Sequence, residues 1–252
     1  VQTCALPISP YLTLGAAFLV VALVFKFSSV PNKVDLTPDV AAGKSLESER
    51  KSVWKYPQLV LGMGAIFLYV GVEVTTASNL PEFMRLHTQT ETEDIAPFVS
   101  LYWASLMIGR WAGSVGALDI TKGLKQILRF VMPYIAFGVF LLINRLASHD
   151  VTPFYVYALV IIAMIIGDIL SKGNPARQLL IFSILGIAAN FVGMLADGMI
   201  SVYAFIAVGL FCSTLWPCIF TLAIAGLGKH TNEGSGLLIM MIMGGEIGRA
   251  HV

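Results

Sequence analysis

Eight apolar runs constrain this chain more than any motif does. They lie near residues 11–28, 58–80, 97–118, 126–145, 153–171, 178–196, 201–226 and from 236 onward, each roughly 17 to 25 residues long, enough for a helix to cross a hydrocarbon layer of about 30 Å. None shows the alternation over about ten residues that marks an outer-membrane strand. Lipid offers backbone N–H and C=O groups no partners, so the spans satisfy them internally as helices. Charged residues make up 12% of the chain, against about 25% in soluble domains. The predicted class is an all-α polytopic membrane protein. Three cysteines without paired spacing argue against a disulfide framework or a metal site; Cys212 and Cys218 read as small polarizable filler.

Both ends look foreign to the rest. Thr3 to Ser9 can be encoded as ACGTGTGCTCTTCCGATCTC, whose reverse complement, GAGATCGGAAGAGCACACGT, translates as Glu246 to Val252. Two complementary ends are what a sequencing adapter translated at each terminus would give. Residues 1–9 and 246–252 are therefore expected to be adapter-like artefact. Between them, residues 10–30 read as one helix, 31–56 as a polar linker and 57–245 as a truncated helix bundle. Placing the linker in the cytoplasm puts Lys122, Lys125, Arg129, Lys172, Arg177 and Lys229 there too, as the excess of cations in cytoplasmic loops requires. The acidic loop with Glu91, Glu93 and Asp94 then falls outside.

One acid stands inside an apolar span. Glu73 lies about 24 Å along its helix from Pro57, somewhat past the bilayer midplane, where a charge is costly unless it faces a cavity or a partner. Tyr69, Glu73 and Thr76 share one helical face, with Asn79 on its flank. The carboxylate can accept hydrogen bonds from a polar ligand or sense a proton; the alternative is a structural acid tied to a neighbouring helix. Tyr102 and Trp103 can stack on the apolar face of a ring-shaped ligand, or serve packing or an interfacial aromatic belt. Arg110 falls near the cytoplasmic third of its span, from which its guanidinium can snorkel to the headgroups. Pro217, after Trp216, breaks a helix interior because proline lacks the backbone donor, and Ser213, Thr214 and Thr221 put hydroxyls around that break. Asn190 reads as interhelical glue, and Asp168 and Asp197 as water-facing helix ends with no assigned role. The glycine-rich turn 226–236 follows no strand and lacks the spacing of a phosphate loop, so it is not a nucleotide site.

Four stretches carry a family likeness: Phe67 to Glu73 (FLYVGVE), Ser100 to Arg110 (SLYWASLMIGR), Gly209 to Ile224 (GLFCSTLWPCIFTLAI) and Gly226 to Ile239 (GLGKHTNEGSGLLI). In this order they resemble the fucose and glucose/galactose permease branch of the major facilitator superfamily. The resemblance implies that 10–30 is the last helix of an N-terminal half, 31–56 the central cytoplasmic linker and 57–245 most of the C-terminal half, with helices one to five and the twelfth outside this sequence. It implies a proton and sugar symporter that rocks two halves about a midplane site, with proton-accepting acids largely in the N-terminal half. It also gives the Gly109-Arg110 pair the role of a cytoplasmic gate contact. Two departures stand out. Relatives commonly have an amide where this chain has Cys212, which alters a sugar-facing position. Three spans, 126–145, 153–171 and 178–196, occupy the place of one, which implies an extra helix pair packed outside the bundle.

The expected function is therefore proton-coupled uptake of a hexose or deoxyhexose (fucose, glucose or galactose) across a bacterial inner membrane by alternating access. Expected substrate-binding residues are Glu73, Tyr69, Thr76, Asn79, Tyr102, Trp103, Ser213 and Trp216; expected gating residues are Arg110 and Pro217. The partners are a sugar, a proton and the bilayer, with no nucleic acid, no cofactor and no metal, and the carrier is expected to be a monomer. Two other classes are a non-transporting sugar sensor or scaffold of the same fold and an integral-membrane enzyme. The enzyme would need clustered His, Asp or Cys at a membrane face, whereas His87, His149 and His230 are scattered through loops.

Overall fold

A computed structural model describes residues 52–117 and 120–249, together with the helical positions Ala16, Phe18 to Val20 and Leu23. Most of the first expected span, 11–28, and of the linker, 31–56, lies outside the described residues, as does residues 1–9. Nine α-helices follow among the described residues: α1 (Pro57–His87), α2 (Thr92–Ser114), α3 (Lys122–Leu146), α4 (Tyr157–Ser171), α5 (Pro175–Leu195), α6 (Gly198–Cys212), α7 (Leu215–Ile224), α8 (Thr231–Met240) and α9 (Gly244–Arg249). No strand occurs among the described residues.

Local chemistry sets the helix ends. Pro57 and Pro175 occupy the first turns of α1 and α5, where a missing N–H costs nothing. The Asn174 side chain caps α5 by accepting from the N–H groups of Ala176 (3.0 Å) and Arg177 (3.1 Å). α4 stops at Ser171 because Lys172 and Gly173 both turn to positive φ.

Five segments are long and apolar enough to cross a membrane: Pro57–His87, Gly123–Leu146, Thr152–Ser171, Pro175–Leu195 and Gly198–Ile224. α2 has the length, at 23 residues, but its Tyr, Trp and Ser residues and Arg110 dilute its hydropathy. The expected span from 236 is two short helices, α8 and α9, joined by a turn at Met241–Met243. The expected span 201–226 is also segmented, and the break falls at Ser213-Thr214, one turn before Trp216-Pro217. The reason is chemical: Pro217 has no N–H to give the Ser213 carbonyl four residues back, so the helix loosens there.

The segmented Gly198–Ile224 span is the centre of the bundle. Two-thirds of its most apolar window is buried (67%), against 11% for α5. α1, α2 and α5 pack around it, α3 lies along α2, and α8 and α9 close on α1. α5 turns Leu180, Ile184, Ile187 and Phe191 outward, as a lipid-facing helix does. Lipid tails are as apolar as Leu, so helix association in bilayers relies on close packing and on polar ties. Gly109 of α2 abuts Ser213, Gly62 of α1 abuts Ala223, and Gly244 of α9 abuts the Phe67 backbone of α1, each so closely that a Cβ has no room. Polar ties run across the same interfaces: Ser105 of α2 shares a 2.7 Å hydrogen bond with Tyr157 of α4, and Ser201 of α6 donates to the Gly193 carbonyl of α5.

Candidate substrate site

The polar face read from the sequence of α1 is built as a paired acid. Tyr69, one turn before Glu73, donates its hydroxyl to the Glu73 carboxylate. Arg110 reaches across from α2 and places its guanidinium 3.8 Å from the same carboxylate. Glu73 is 12% exposed and Arg110 53%, so the acid sits inside while the base keeps an open side. The pair settles how a charge is tolerated so far along an apolar helix: it has a hydrogen-bond donor on its own helix and a cation on the next. Tyr69, Glu73, Arg110 and Trp216 line a cavity of about 380 Å3, with Val70 and Ile242 completing its wall. The Tyr69 and Trp216 rings stand 6.3 Å apart at 57°, two aromatic faces beside a carboxylate and a guanidinium.

A second cavity, of about 670 Å3, adjoins the first and is lined by Arg110, Ser213, Thr214, Trp216, Pro217 and Gln178 among others. Arg110 and Trp216 therefore border both spaces. The Ser213 hydroxyl is buried and donates to the Leu210 carbonyl in the last turn of α6. The Thr214 hydroxyl is buried with no hydrogen-bond partner among the described residues. Pro217 is exposed on the wall of this larger space.

Other expected site residues lie elsewhere. Thr76 and Asn79 line a separate cavity of about 210 Å3 with Asn190 and Phe205. Both also bond back to their own helix, Thr76 to the Val72 carbonyl and Asn79 to the Thr75 carbonyl, at 2.8 Å each. Tyr102 corrects the expectation of a stacking platform. Its ring is fully buried against Gly209 and its hydroxyl donates to the Glu73 backbone carbonyl at 2.8 Å, so it holds α2 to α1 behind the acid and presents no open face. Trp103 is 48% exposed and packs edge-on against Tyr102, with ring centres 5.7 Å apart; it lines none of the three cavities. Cys212 is buried.

Sequence reasoning missed one polar cluster. Asp168, expected to meet water, is 18% exposed and lies 3.8 Å from Arg129 of α3, while Gln178 of α5 donates to it at 3.4 Å. The available signal was an arginine and an aspartate each placed within an apolar run.

Comparison with known proteins agrees with this architecture. The chain is 32% identical over 243 residues to glucose/galactose transporters from two strains of Brucella abortus, an alignment that covers 94% of this chain and 44% of each relative. It is 30% identical over 79 residues to the L-fucose-proton symporter of Escherichia coli K12, covering 31% of this chain and 18% of that protein. The chain thus spans less than half the length of the curated relatives it matches. No family model and no solved structure matches it. Its apolar helices and these relatives together make this multi-pass membrane chain similar to glucose/galactose transporters and, over a shorter stretch, to an L-fucose-proton symporter.

Proposed function

We propose that the chain serves in proton-coupled uptake of a hexose or deoxyhexose across a bacterial inner membrane, by alternating access, with the Glu73–Arg110 cavity as its share of the sugar site. The observation that carries this reading is the paired acid and base facing a cavity beside two aromatic rings. Neighbouring sugar hydroxyls both donate and accept. A carboxylate accepts from them, a guanidinium donates to them, and charge-assisted hydrogen bonds of this kind are roughly twice as strong as neutral ones. The C–H faces of a pyranose pack on aromatic rings such as those of Tyr69 and Trp216.

In this reading Arg110 has two states. It reaches back to Glu73 when the cavity is empty and turns to the sugar, or toward the larger space, when it is filled. Trp216 and Pro217 stand at the same border, beside the break that lets α7 move relative to α6. Tyr102 positions Glu73 through its backbone and does not touch the sugar. Residues 10–30 would be the last helix of an N-terminal half, residues 31–56 the central cytoplasmic linker, and 57–245 most of the C-terminal half, with an extra helix pair drawn from α3, α4 and α5. The names of the relatives support glucose, galactose or fucose as cargo and a proton as the coupled ion.

The test is uptake of labelled glucose, galactose and fucose into membrane vesicles by a full-length carrier containing this sequence, with and without an imposed inward proton gradient. Gradient-driven accumulation of one of these sugars that fails in Glu73→Gln supports the reading. Sugar binding without uptake would make the protein a sensor, and no binding of any of the three would overturn the sugar assignment.

A further inference from the structure

We propose that the cavity between the first turns of α3 and the last turns of α4 binds the phosphate of an anionic phospholipid. The cavity holds about 300 Å3 and is lined by Lys125, Gln126, Arg129 and Phe130 from α3 and by Ile165 and Asp168 from α4, among others. Lys125 and Arg129 are one helical turn apart, so both cations face one side of α3.

The charge balance favours an anion. Two cations meet a single carboxylate in the cavity. Asp168 approaches the inner nitrogen of Arg129, Nε, at 3.8 Å, a long contact that aims the guanidinium without consuming it. Its outer nitrogens make no hydrogen bond among the described residues, and a guanidinium offers five donors in a fork suited to phosphate. Lys125 gives one of its three N–H groups to the Gly116 carbonyl at 2.9 Å, which fixes its ammonium at the mouth and leaves the others for a ligand.

Depth and surroundings favour a lipid over a free anion. Arg129 lies about 10 Å along α3 from its start, and Asp168 about 5 Å from the end of α4, which puts the cavity at the boundary between headgroups and hydrocarbon. Ile127, Val131, Ile166 and Ile169 are exposed around and above it, an apolar bed for acyl chains next to a basic pocket for the headgroup. Basic pockets between membrane helices bind anionic headgroups by this combination. Asp168 then has a second effect: its own charge opposes the phosphate and keeps the affinity moderate.

That last point makes the proposal testable in both directions, independently of the cargo. A full-length carrier containing this sequence would be stripped of lipid in neutral detergent and titrated with dioleoyl phosphatidylglycerol, dioleoyl phosphatidylcholine or inorganic phosphate, with adducts counted by native mass spectrometry. Phosphatidylglycerol should bind the unaltered protein roughly threefold to tenfold tighter than phosphatidylcholine. Asp168→Asn, which keeps both cations, should widen that preference. The triple variant Lys125→Gln, Arg129→Gln, Asp168→Asn removes all three charges and strands none, and should bring the two lipids level. Equal binding of both lipids by the unaltered protein, a preference that narrows in Asp168→Asn, or a preference that survives the triple variant would overturn the proposal. Inorganic phosphate that displaces phosphatidylglycerol at equal concentration would do the same, because the site would then hold a free anion.

Discussion

Gly109 of α2 and Ser213, at the break between α6 and α7, lie so close that the Ser213 hydroxyl fills the place where a Cβ on residue 109 would stand. The contact joins the residue before Arg110 to the loosest point of the central span. Gly109→Ala should therefore lower thermal stability, by about 1 to 3 kcal/mol for an overpacked contact. Gly113, one turn on, faces open space, so Gly113→Ala should be neutral or slightly stabilising. Thermal unfolding of both variants in one detergent decides the matter; equal effects would mean that the close approach is absent in solution.

Glu73→Gln keeps the size of the side chain and removes its charge. If the carboxylate holds sugar, affinity should fall by about 1.5 to 3 kcal/mol, or roughly tenfold to a hundredfold. If the acid only ties α1 to α2 through Arg110, stability should drop while surviving protein binds normally. Calorimetric binding and unfolding measured on the same samples separate the two.

Tyr102→Phe removes one hydroxyl from the back of the site. Its hydrogen bond to the Glu73 carbonyl should be worth about 0.5 to 1.5 kcal/mol. Stability should fall by that amount with sugar affinity unchanged. A large loss of affinity at constant stability would return Tyr102 to the substrate.

The distribution of cations predicts sidedness. A cysteine at Glu91 should react with an impermeant thiol reagent added outside intact cells, and one at Thr121 only after the membrane is opened. The buried state of Cys212 and Cys218 keeps their background low. The reverse labelling pattern would invert the orientation.

Asp150 begins the turn that leads into α4. The Thr152 hydroxyl first (2.7 Å) and then the Thr152 N–H (2.9 Å) donate to its carboxylate and hold its pKa below the ordinary 3.8. A carboxyl depressed by folding stabilises the folded turn above the ordinary value and loses that effect as pH falls through its lower, folded value. Amide exchange at Thr152, corrected for intrinsic rates, should therefore stay slow at neutral pH and accelerate below about pH 3.8. The acceleration should vanish in Asp150→Ala.

The helices and the Tyr69–Glu73 contact of α1 were legible in the sequence because each rests on local chemistry, whereas Thr76 and Asn79 turn to a separate cavity. Apolar length dictates a spanning helix, and spacing of four residues puts Tyr69 beside Glu73. Pro217 announced a break, although its effect surfaces one turn earlier, at the carbonyl it fails to satisfy. What sequence could not give was partnership across helices. Nothing local pairs Arg110 with Glu73, or Arg129 with Asp168, since each link spans a helix interface that exists only after packing. Tyr102 shows the same limit: an aromatic beside Trp103 reads as a platform until Gly209 is found pressed against its ring.

The two interrupted spans, α6–α7 and α8–α9, both rest on α1, which runs unbroken for 31 residues. A jointed rod bends at its joint, whereas a continuous one carries strain along its length. α1 is the continuous element on which both jointed spans pack. Glu73 rides on α1, while Trp216 and Ile242 close its cavity from one jointed span each. A pivot at either joint would change the shape of the cavity without moving the acid, so the chamber can be remodelled from two sides around one fixed charge.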